Sequence, residues 1–419
     1  MSAVAPVPAL PPDVEEKLAS LAPVELAVSV PTYNNVATVP TVAEAVRAGL
    51  EKHFAGVPAV LINADAGSSD ATAERLADVG LPLVHARHEV PPAQRAAVPS
   101  HGVPGRGAAL RLAFGVARRL GARALVVLEA DVTSIDDGWL ERLLRPVLEG
   151  GADLVLPVHA RHRYDGTITN LMLAPLVSAL YGRRLRQPLA GARALSSRLL
   201  ERLLAESRWP AAGRSMTDLW IEGTALAEGF AVHEAPLGRW RVESSTRPTD
   251  LPALVGETLG AVFAVMDDYD DLWLGTIAGA PLPIAGAPPT PSAEPLRIDV
   301  ERMMGAFRGG LRDLGTIWEH ILAPETWSDV LGLEMDDLER FRFPDELWAR
   351  VVYDFAVGHH YRVVYRDHLL RSLAPLYLGR TAAFILATER RDGAGVDAAL
   401  DAVAAAFAGQ KPYLVDRWR

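Results

Sequence analysis

The sequence predicts an α/β fold, in which a mainly parallel sheet is flanked by helices and followed by an all-helical C-terminal region. Five short aliphatic runs alternate with helix-like segments over the first 160 residues. These connections are long enough for βαβ crossovers, which join parallel strands. From about residue 296 onward, apolar and aromatic residues recur at helical spacing instead.

The predicted strands end at polar or turn-forming residues. In chain order they are VELAVSV (24–30), PAVLINA (58–64), LPLVHA (81–86), ARALVVLEAD (122–131) and ADLVLPV (152–158). Helical patterns follow them at about 40–54, up to 77, at 105–121 and at 139–148. The first pattern begins with a proline, which the first turn of a helix tolerates.

Four segments are expected from the changes in composition. They are an N-terminal extension (1–23), a nucleotide-sugar and acceptor domain (24–271), a linker rich in Pro, Ala and Gly (272–295), and a helical C-terminal domain (296–419). The aromatic residues of the last segment are expected to be mainly core, and they also offer surface for a homodimer.

Composition limits the classes of function. The net charge of −10 argues against a nucleic-acid partner, because phosphate backbones require basic patches. The chain has no cysteine, which excludes disulfides, thiolate metal sites and a cysteine nucleophile. We expect no signal peptide, because the N-terminus lacks a basic start and a continuous apolar core. We expect no membrane span, because the most apolar long stretch (272–295) contains many prolines and glycines, and the lack of cysteine fits a cytoplasmic location.

Three polar turns follow predicted strands, at Pro31–Asn35, Asp65–Asp70 and Glu129–Ser134. Ligands of parallel α/β sheets bind outside the carboxyl ends of the strands. We therefore expect these turns to form one rim, with a nucleotide site as the best explanation.

Glu129, Ala130 and Asp131 end a buried strand with two carboxylates at i and i+2. Side chains at this spacing share one side of a strand, and Mg²⁺ or Mn²⁺ binds one or two carboxylates together with substrate phosphates. The alternative is a solvated strand end. Arg106 lies at the start of a helix after two glycines, where a diphosphate would find N–H donors and a cation.

Several motifs in order carry a family resemblance. The stretches VSVPTYNN, NADAGSSDAT, GRGAAL and EADVTS resemble the nucleotide-sugar domain of GT-A glycosyltransferases. More narrowly, EADVTSIDDGWL, RYDGTITNLML, QPLAGARAL and MTDLWIEGTAL resemble the retaining mannosylglycerate and glucosylglycerate synthases and their glucosyl-3-phosphoglycerate synthase relatives. The resemblance covers about residues 24–242, and the family also has a helical C-terminal region.

The resemblance implies a role for each matching residue. The donor, a UDP- or GDP-hexose, would contact Pro31, Tyr33, Asn35, Asp65, Arg106, Glu129, Ala130, Asp131 and Gly191. Asp131 would ligate the metal, and Gly191 would let the backbone approach the sugar. Arg161, Asp165 and Thr169 would bind a glycerate-like acceptor, with the last two on one face of a helix start.

Asp218 and Glu222 have i, i+4 spacing, which is also common among exposed acids on any helix. The resemblance places them beside the anomeric carbon, where a carboxylate could stabilise an oxocarbenium-like transition state or orient the acceptor hydroxyl.

The chain departs from the family pattern at two places. Glu129 stands where the family has Asp, and the segment EAPLGRWRVESS (234–245) lacks the expected metal-binding histidine. Either Asp131 and the diphosphate hold the metal without it, or an arginine partly replaces the cation. His233 lies on the preceding strand and is expected to be packed.

The first hypothesis is a retaining transferase of glucose or mannose to D-glycerate or 3-phosphoglycerate, whose product would be a compatible solute or a polysaccharide precursor. An inverting transferase with another acceptor and a catalytically silent sugar-nucleotide-binding protein are the alternatives. A nucleotidyltransferase is disfavoured, because PTYNNVATV (31–39) is neither glycine-rich nor basic.

Overall fold

The structure is a computed structural model of the whole 419-residue chain. It describes residues 10–88, 90, 103–207, 209, 214–243, 250–277, 281–287, 298–333 and 340–419. Parts of the predicted N-terminal extension (1–9) and linker (278–280 and 288–295) therefore lie outside the described residues.

The described residues form a seven-stranded sheet with the order β3-β2-β1-β4-β6-β5-β7. The strands are β1 (Leu26–Ser29), β2 (Ala59–Asp65), β3 (Leu83–Arg87), β4 (Ala124–Val127), β5 (Leu154–Ala160), β6 (Arg193–Ser196) and β7 (Val232–Arg239).

Every strand pair in this sheet is parallel except those made by β6. The predicted fold class, a mainly parallel sheet flanked by helices and followed by further helices, is confirmed. Because β6 runs antiparallel to β4, Arg193 at its amino end pairs with Val127 at the carboxyl end of β4. The start of β6 thus lies beside the carboxyl ends of β1, β2 and β4, and this end of the sheet is called the edge below.

Fourteen α-helices lie within the described residues. They are α1 (Pro12–Ala19), α2 (Val39–His53), α3 (Thr72–Ala77), α4 (Arg106–Arg119), α5 (Gly138–Leu148), α6 (Ala174–Tyr181), α7 (Ser197–Leu204), α8 (Arg214–Ala227), α9 (Leu251–Asp268), α10 (Val300–Ile321), α11 (Pro324–Gly332), α12 (Asp345–His360), α13 (Arg366–Thr388) and α14 (Gly393–Trp418). A π-helical turn, Thr169–Leu173, precedes α6.

The chain divides into two compact units that alternate along the sequence. Of the described residues, those between 10 and 160, 189 and 243, and 282 and 287 belong to the first unit, and those between 161 and 188, 250 and 281, and 298 and 419 belong to the second. This differs from the continuous domains predicted from the sequence. The physical reason is that α6 is apolar on all sides and nearly all buried, so it needs other helices to cover it.

Within the first unit, helices α2 and α5 pack against the sheet. Their apolar side chains share one core cluster with strand residues, including Val42, Val46, Leu143, Val28 and Val126. Ser196 precedes helix α7 and caps it, because its hydroxyl accepts a hydrogen bond from Leu199 N at 3.2 Å.

The second unit has an aromatic core, as predicted for the C-terminal helices. Its fully buried side chains include Trp273, Phe307, Trp318, Trp348 and Tyr353. The indole of Trp348 donates to Leu171 O at 2.6 Å, which ties α12 to the π-helical turn. Helix α13 is long and apolar enough to cross a membrane, but 78% of its most apolar stretch is buried within the fold, as in the core helix of a globular unit.

Two neighbouring glycines of α10 provide a test of helix packing in the second unit. A Cβ on Gly310 would lie 2.5 Å from Pro375 Cβ and 2.7 Å from Trp318 Cη2, whereas on Gly309 it would meet only Arg312 Nη2 at 3.9 Å. We expect Gly310→Ala to lower the free energy of unfolding by about 1–3 kcal/mol through overpacking. Gly309→Ala should instead raise it by about 0.5–1 kcal/mol, because alanine favours a helix. Urea unfolding followed by circular dichroism measures both, and equal effects would contradict this packing.

Candidate functional site

The loops after β1 and β2 are joined by the carboxylate of Asp65. Its Oδ1 accepts hydrogen bonds from the hydroxyls of Thr32 and Ser68, and its Oδ2 accepts from the backbone N–H groups of Gly67 and Ser68 at 2.9 and 2.8 Å. Burial would raise the pKa of Asp65, but the hydrogen bonds from Ser68, Thr32 and Gly67 outweigh it and lower that pKa. Asp65 therefore holds the loops as an anion, and its expected contact with a base stays a prediction.

The other predicted residues of the β1 loop lie in the same hydrogen-bonded turn. Asn35 accepts a hydrogen bond from Tyr33 N at 2.8 Å through Oδ1, and its own N–H donates to Thr72 Oγ1 at 2.8 Å. Pro31 is buried, and half-buried Tyr33 packs against a small apolar cluster that includes Ala66. These contacts fix the backbone of the loop at the carboxyl end of β1.

The strand end at Glu129–Asp131 is connected to both neighbouring loops. Thr38 Oγ1 donates to Ala130 O at 2.6 Å, which joins it to the start of α2. On the other side, the carboxylate of Glu129 occupies the space where a Cβ on Gly191 would lie. A side chain at Gly191 would collide with the carboxylate of Glu129, and the expected approach of its backbone to the sugar stays a prediction.

Asp218 and Glu222 are fully buried on α8 rather than exposed. Asp218 Oδ2 lies 3.2 Å from Arg106 Nε and 3.3 Å from Arg193 Nη2. Arg193 also donates to Ala190 O at 3.0 Å, and its Nη1 lies 3.6 Å from Glu222 Oε1. These four side chains form the buried charge cluster: Arg106, Arg193, Asp218 and Glu222.

Glu222 connects this cluster to the loop before β6. Its carboxyl group accepts a hydrogen bond from Leu189 N at 3.1 Å, and Leu189 has a left-handed backbone with φ of 63°. Burial raises the pKa of Glu222 to about 8; Arg193 opposes this rise and Asp218 adds to it. At neutral pH Glu222 is therefore mainly protonated, so the two arginines and Asp218 leave the cluster with a net positive charge.

An unbroken series of contacts joins the predicted donor and catalytic residues. It runs from Asp65 through the β1 loop to Ala130, from Glu129 to Gly191, and through residues 189–193 to the buried charge cluster. All of these residues belong to the first unit. The structure thus brings them together at the edge where β1, β2 and β4 end.

Arg106, expected at a diphosphate, is the first residue of α4 and is only 2% exposed. It follows Gly105, which has a left-handed backbone with φ of 64°. Its Nη2 is buried and has no hydrogen-bond partner among the described residues. The first turn of a helix and a guanidinium with a spare donor together favour an anion.

The expected metal would be held by oxygen ligands at Asp131, which is half-buried at the strand end. Within the part of the chain that the structure describes, no three His, Cys, Asp or Glu side chains come together as a metal site. The carboxylate of Asp131 is an oxygen donor of the kind that Mg²⁺ or Mn²⁺ takes together with substrate phosphates and water.

The three predicted acceptor residues belong to the second unit. Arg161 follows β5, and Thr169 opens the π-helical turn. Asp165 does not share a helix face with Thr169: it is exposed in the preceding turn, where its N–H donates to His162 O at 2.8 Å. Gly166 interrupts the helix start with a left-handed φ of 68°, which is why the i, i+4 prediction is wrong.

Sequence reasoning missed Arg193, which contacts both acids of α8. The motif QPLAGARAL contains Arg193, but its contact with the two acids depends on β6 running antiparallel beside β4. A second missed residue is Leu189, whose left-handed backbone presents its N–H to Glu222. The sequence signal for Arg193 was its position directly after the small residues 190–192.

Solved structures of glucosyl-3-phosphoglycerate synthase from Mycobacterium tuberculosis are similar to this chain. Its complex with phosphoglyceric acid has 24% sequence identity and a TM-score of 0.43, over 60% of this chain and 81% of that one. Its complex with Mn²⁺, UDP and glucosyl-3-phosphoglycerate has 22% identity and the same coverage and TM-score. Its complex with Mn²⁺, UDP-glucose and phosphoglyceric acid has 23% identity over 61% and 81% of the two chains, with a TM-score of 0.43. No family model and no curated protein matches the chain.

The contact between Glu129 and Gly191 can be tested by a double-mutant cycle. Gly191→Ala should lower the free energy of unfolding by about 1–3 kcal/mol, because the buried carboxylate must move. In a Glu129→Ala background the same substitution should cost much less, because the colliding group is gone. Additive effects in urea unfolding would contradict this contact.

The raised pKa of Glu222 predicts how stability depends on pH. Its pKa rises from 4.5 to about 8 on folding, so the folded chain holds a proton that the unfolded chain has lost between these values. Stability should therefore fall as pH rises through this window. Glu222→Gln removes the titration while preserving the size of the side chain and an acceptor for Leu189 N. The melting temperature of this variant should therefore fall less between pH 6 and pH 9 than that of the wild type.

The matched control is Glu201→Gln on the exposed face of α7, which should follow the wild-type pH curve. A Glu222→Gln variant with an unchanged pH slope would show that Glu222 is ionised in the folded chain.

Proposed function

We propose that the chain is a hexosyltransferase, which moves glucose or mannose from a UDP- or GDP-sugar to D-glycerate or 3-phosphoglycerate with retention of configuration. The observation that carries the proposal is the contact series at the carboxyl edge of β1, β2 and β4, which ends in the buried charge cluster. A strand-end edge of this kind is the usual ligand site of parallel α/β sheets.

The donor would lie along this edge. The turn held by Asp65 and the β1 loop would receive the nucleoside, while Asp131 and the start of α4 would face the diphosphate. Arg106 at the first position of α4 favours an anion there, because the helix N-terminus and the guanidinium add their positive potentials.

The buried charge cluster would serve the chemical step through its field. With Glu222 protonated, the two positive charges of Arg106 and Arg193 exceed the single negative charge of Asp218. The resulting positive potential favours the negative charge that develops on the departing diphosphate. A bound Mg²⁺ or Mn²⁺ would supply Lewis-acid stabilisation of the same diphosphate. Since Asp218 is already paired with two arginines, we assign it to orienting the cluster rather than to covalent attack.

The acceptor role falls to the segment that follows β5. Arg161 suits a carboxylate or phosphate because a guanidinium binds either group in a bidentate manner. The motif resemblance of RYDGTITNLML extends this role to Asp165 and Thr169, and it also supplies retention as the stereochemical outcome.

The proposal is tested by release of nucleoside diphosphate from UDP- and GDP-hexoses, with D-glycerate or 3-phosphoglycerate, and with Mg²⁺ or a chelator. We expect release that depends on one acceptor, and a product whose anomeric configuration by NMR matches the donor. Asp218→Asn should lower kcat by about 10²-fold, because Arg106 and Arg193 lose the carboxylate that holds them in position. Glu201→Gln is the matched control and should retain wild-type activity.

Each other outcome contradicts part of the proposal. Inverted product would show an inverting transferase, and release without any acceptor would show a hydrolase. Donor binding without turnover in any combination would show a silent sugar-nucleotide-binding protein.

A further inference from the structure

A short antiparallel ribbon joins the segments that follow β4 and β7. Val132 and Val242 form an isolated antiparallel bridge. On either side of it, Thr133 N donates to Arg241 O at 2.9 Å, and Glu243 N donates to Asp131 O at 3.0 Å. This register sets Glu243 directly opposite Asp131.

The ribbon has one apolar and one polar face. Val132 is buried, and Val242 packs against the core cluster of the first unit. Since successive side chains of a strand point to opposite faces, Asp131 and Glu243 share the face turned away from that core. Asp131 is half-buried and Glu243 is exposed there.

Side chains directly opposite each other in an antiparallel pair have Cβ atoms about 4.5–5.5 Å apart, so the two carboxylates can reach one cation. Mg²⁺ and Mn²⁺ commonly take one or two carboxylates together with substrate phosphates. The pair lies at the strand end where the diphosphate of the donor is proposed to bind. Glu243 belongs to the segment 234–245, which lacks the expected histidine.

We propose that Glu243 is a ligand, beside Asp131, of the divalent cation that accompanies the diphosphate. This inference rests on the proposed function, since the remaining ligands would be phosphate oxygens. Glu243 replaces the missing histidine as a metal ligand. An oxygen ligand in place of a nitrogen ligand favours Mg²⁺ or Mn²⁺ over softer metals. Arg241 lies on the same polar face, two residues before Glu243. It is therefore the alternative to a cation as the positive charge beside the diphosphate.

The experiment measures metal and nucleotide binding rather than turnover. Mn²⁺ binding is followed by electron paramagnetic resonance in the presence of UDP or GDP, and nucleotide binding by calorimetry with Mn²⁺ or with chelator. The proteins are the full chain, Asp131→Asn, Glu243→Gln, Glu243→His and the control Glu201→Gln.

We expect nucleotide-dependent Mn²⁺ binding that weakens at least about tenfold in Asp131→Asn and in Glu243→Gln, in line with the loss seen on removing groups around a bound metal. Glu201→Gln should bind as the wild type does. Glu243→His should retain a site but shift its preference from Mg²⁺ toward Ni²⁺, because imidazole suits the softer ion. A purely structural role for Glu243 would not change metal preference.

The other outcomes separate the inference from the proposed function. Unchanged Mn²⁺ affinity in Glu243→Gln would overturn the inference and leave the transferase proposal standing. Tight nucleotide binding in chelator that is lost in Arg241→Met would also overturn it, in favour of an arginine in place of the cation. Failure of the wild type to bind any nucleotide, with or without Mn²⁺, would overturn the proposed function itself.

Discussion

The buried pairing of Asp218 with Arg106 and Arg193 is the interaction on which the candidate site depends. Taking a charged side chain out of water costs several kcal/mol, and only close pairing offsets this. Asp218 is fully buried and lies within 3.3 Å of both guanidinium groups. Removing one partner would leave an unpaired buried charge, which costs about 3–5 kcal/mol. The start of α4, the start of β6 and helix α8 are thus held in one arrangement.

This pairing also determines the course of the loop before β6. Arg193 binds Ala190 O, while Glu222 accepts the N–H of Leu189, so the loop is attached to the cluster at two points. Between these points and the strand, Gly191 lies against the carboxylate of Glu129. The end of β4 is therefore connected to the cluster through residues 189–193.

Much of the fold could be predicted because its signals are local. The aliphatic runs that form β1, β2, β4 and β5, and the helical pattern after Gly105, depend on neighbouring residues in the chain. The positions of Asp65 and Asp131 followed from the rule that strand ends share an edge. In contrast, the burial of Asp218 and Glu222 depends on Arg193, which meets them only because β6 is inserted antiparallel between β4 and β5. The interleaving of the two units has the same origin, since contacts between distant segments leave no periodic pattern.

The departure of Glu129 from the family pattern has a consistent physical account. An aspartate at this position would be one methylene shorter and would fill less of the space over Gly191. The longer Glu129 reaches that glycine and packs there with 7% of its surface exposed. Its carboxylate is thereby committed to the loop before β6, which leaves Asp131 as the carboxylate of the motif on the polar face of the ribbon. In the proposed cation site the other oxygen ligands come from outside the motif, and the register of the ribbon puts Glu243 opposite Asp131.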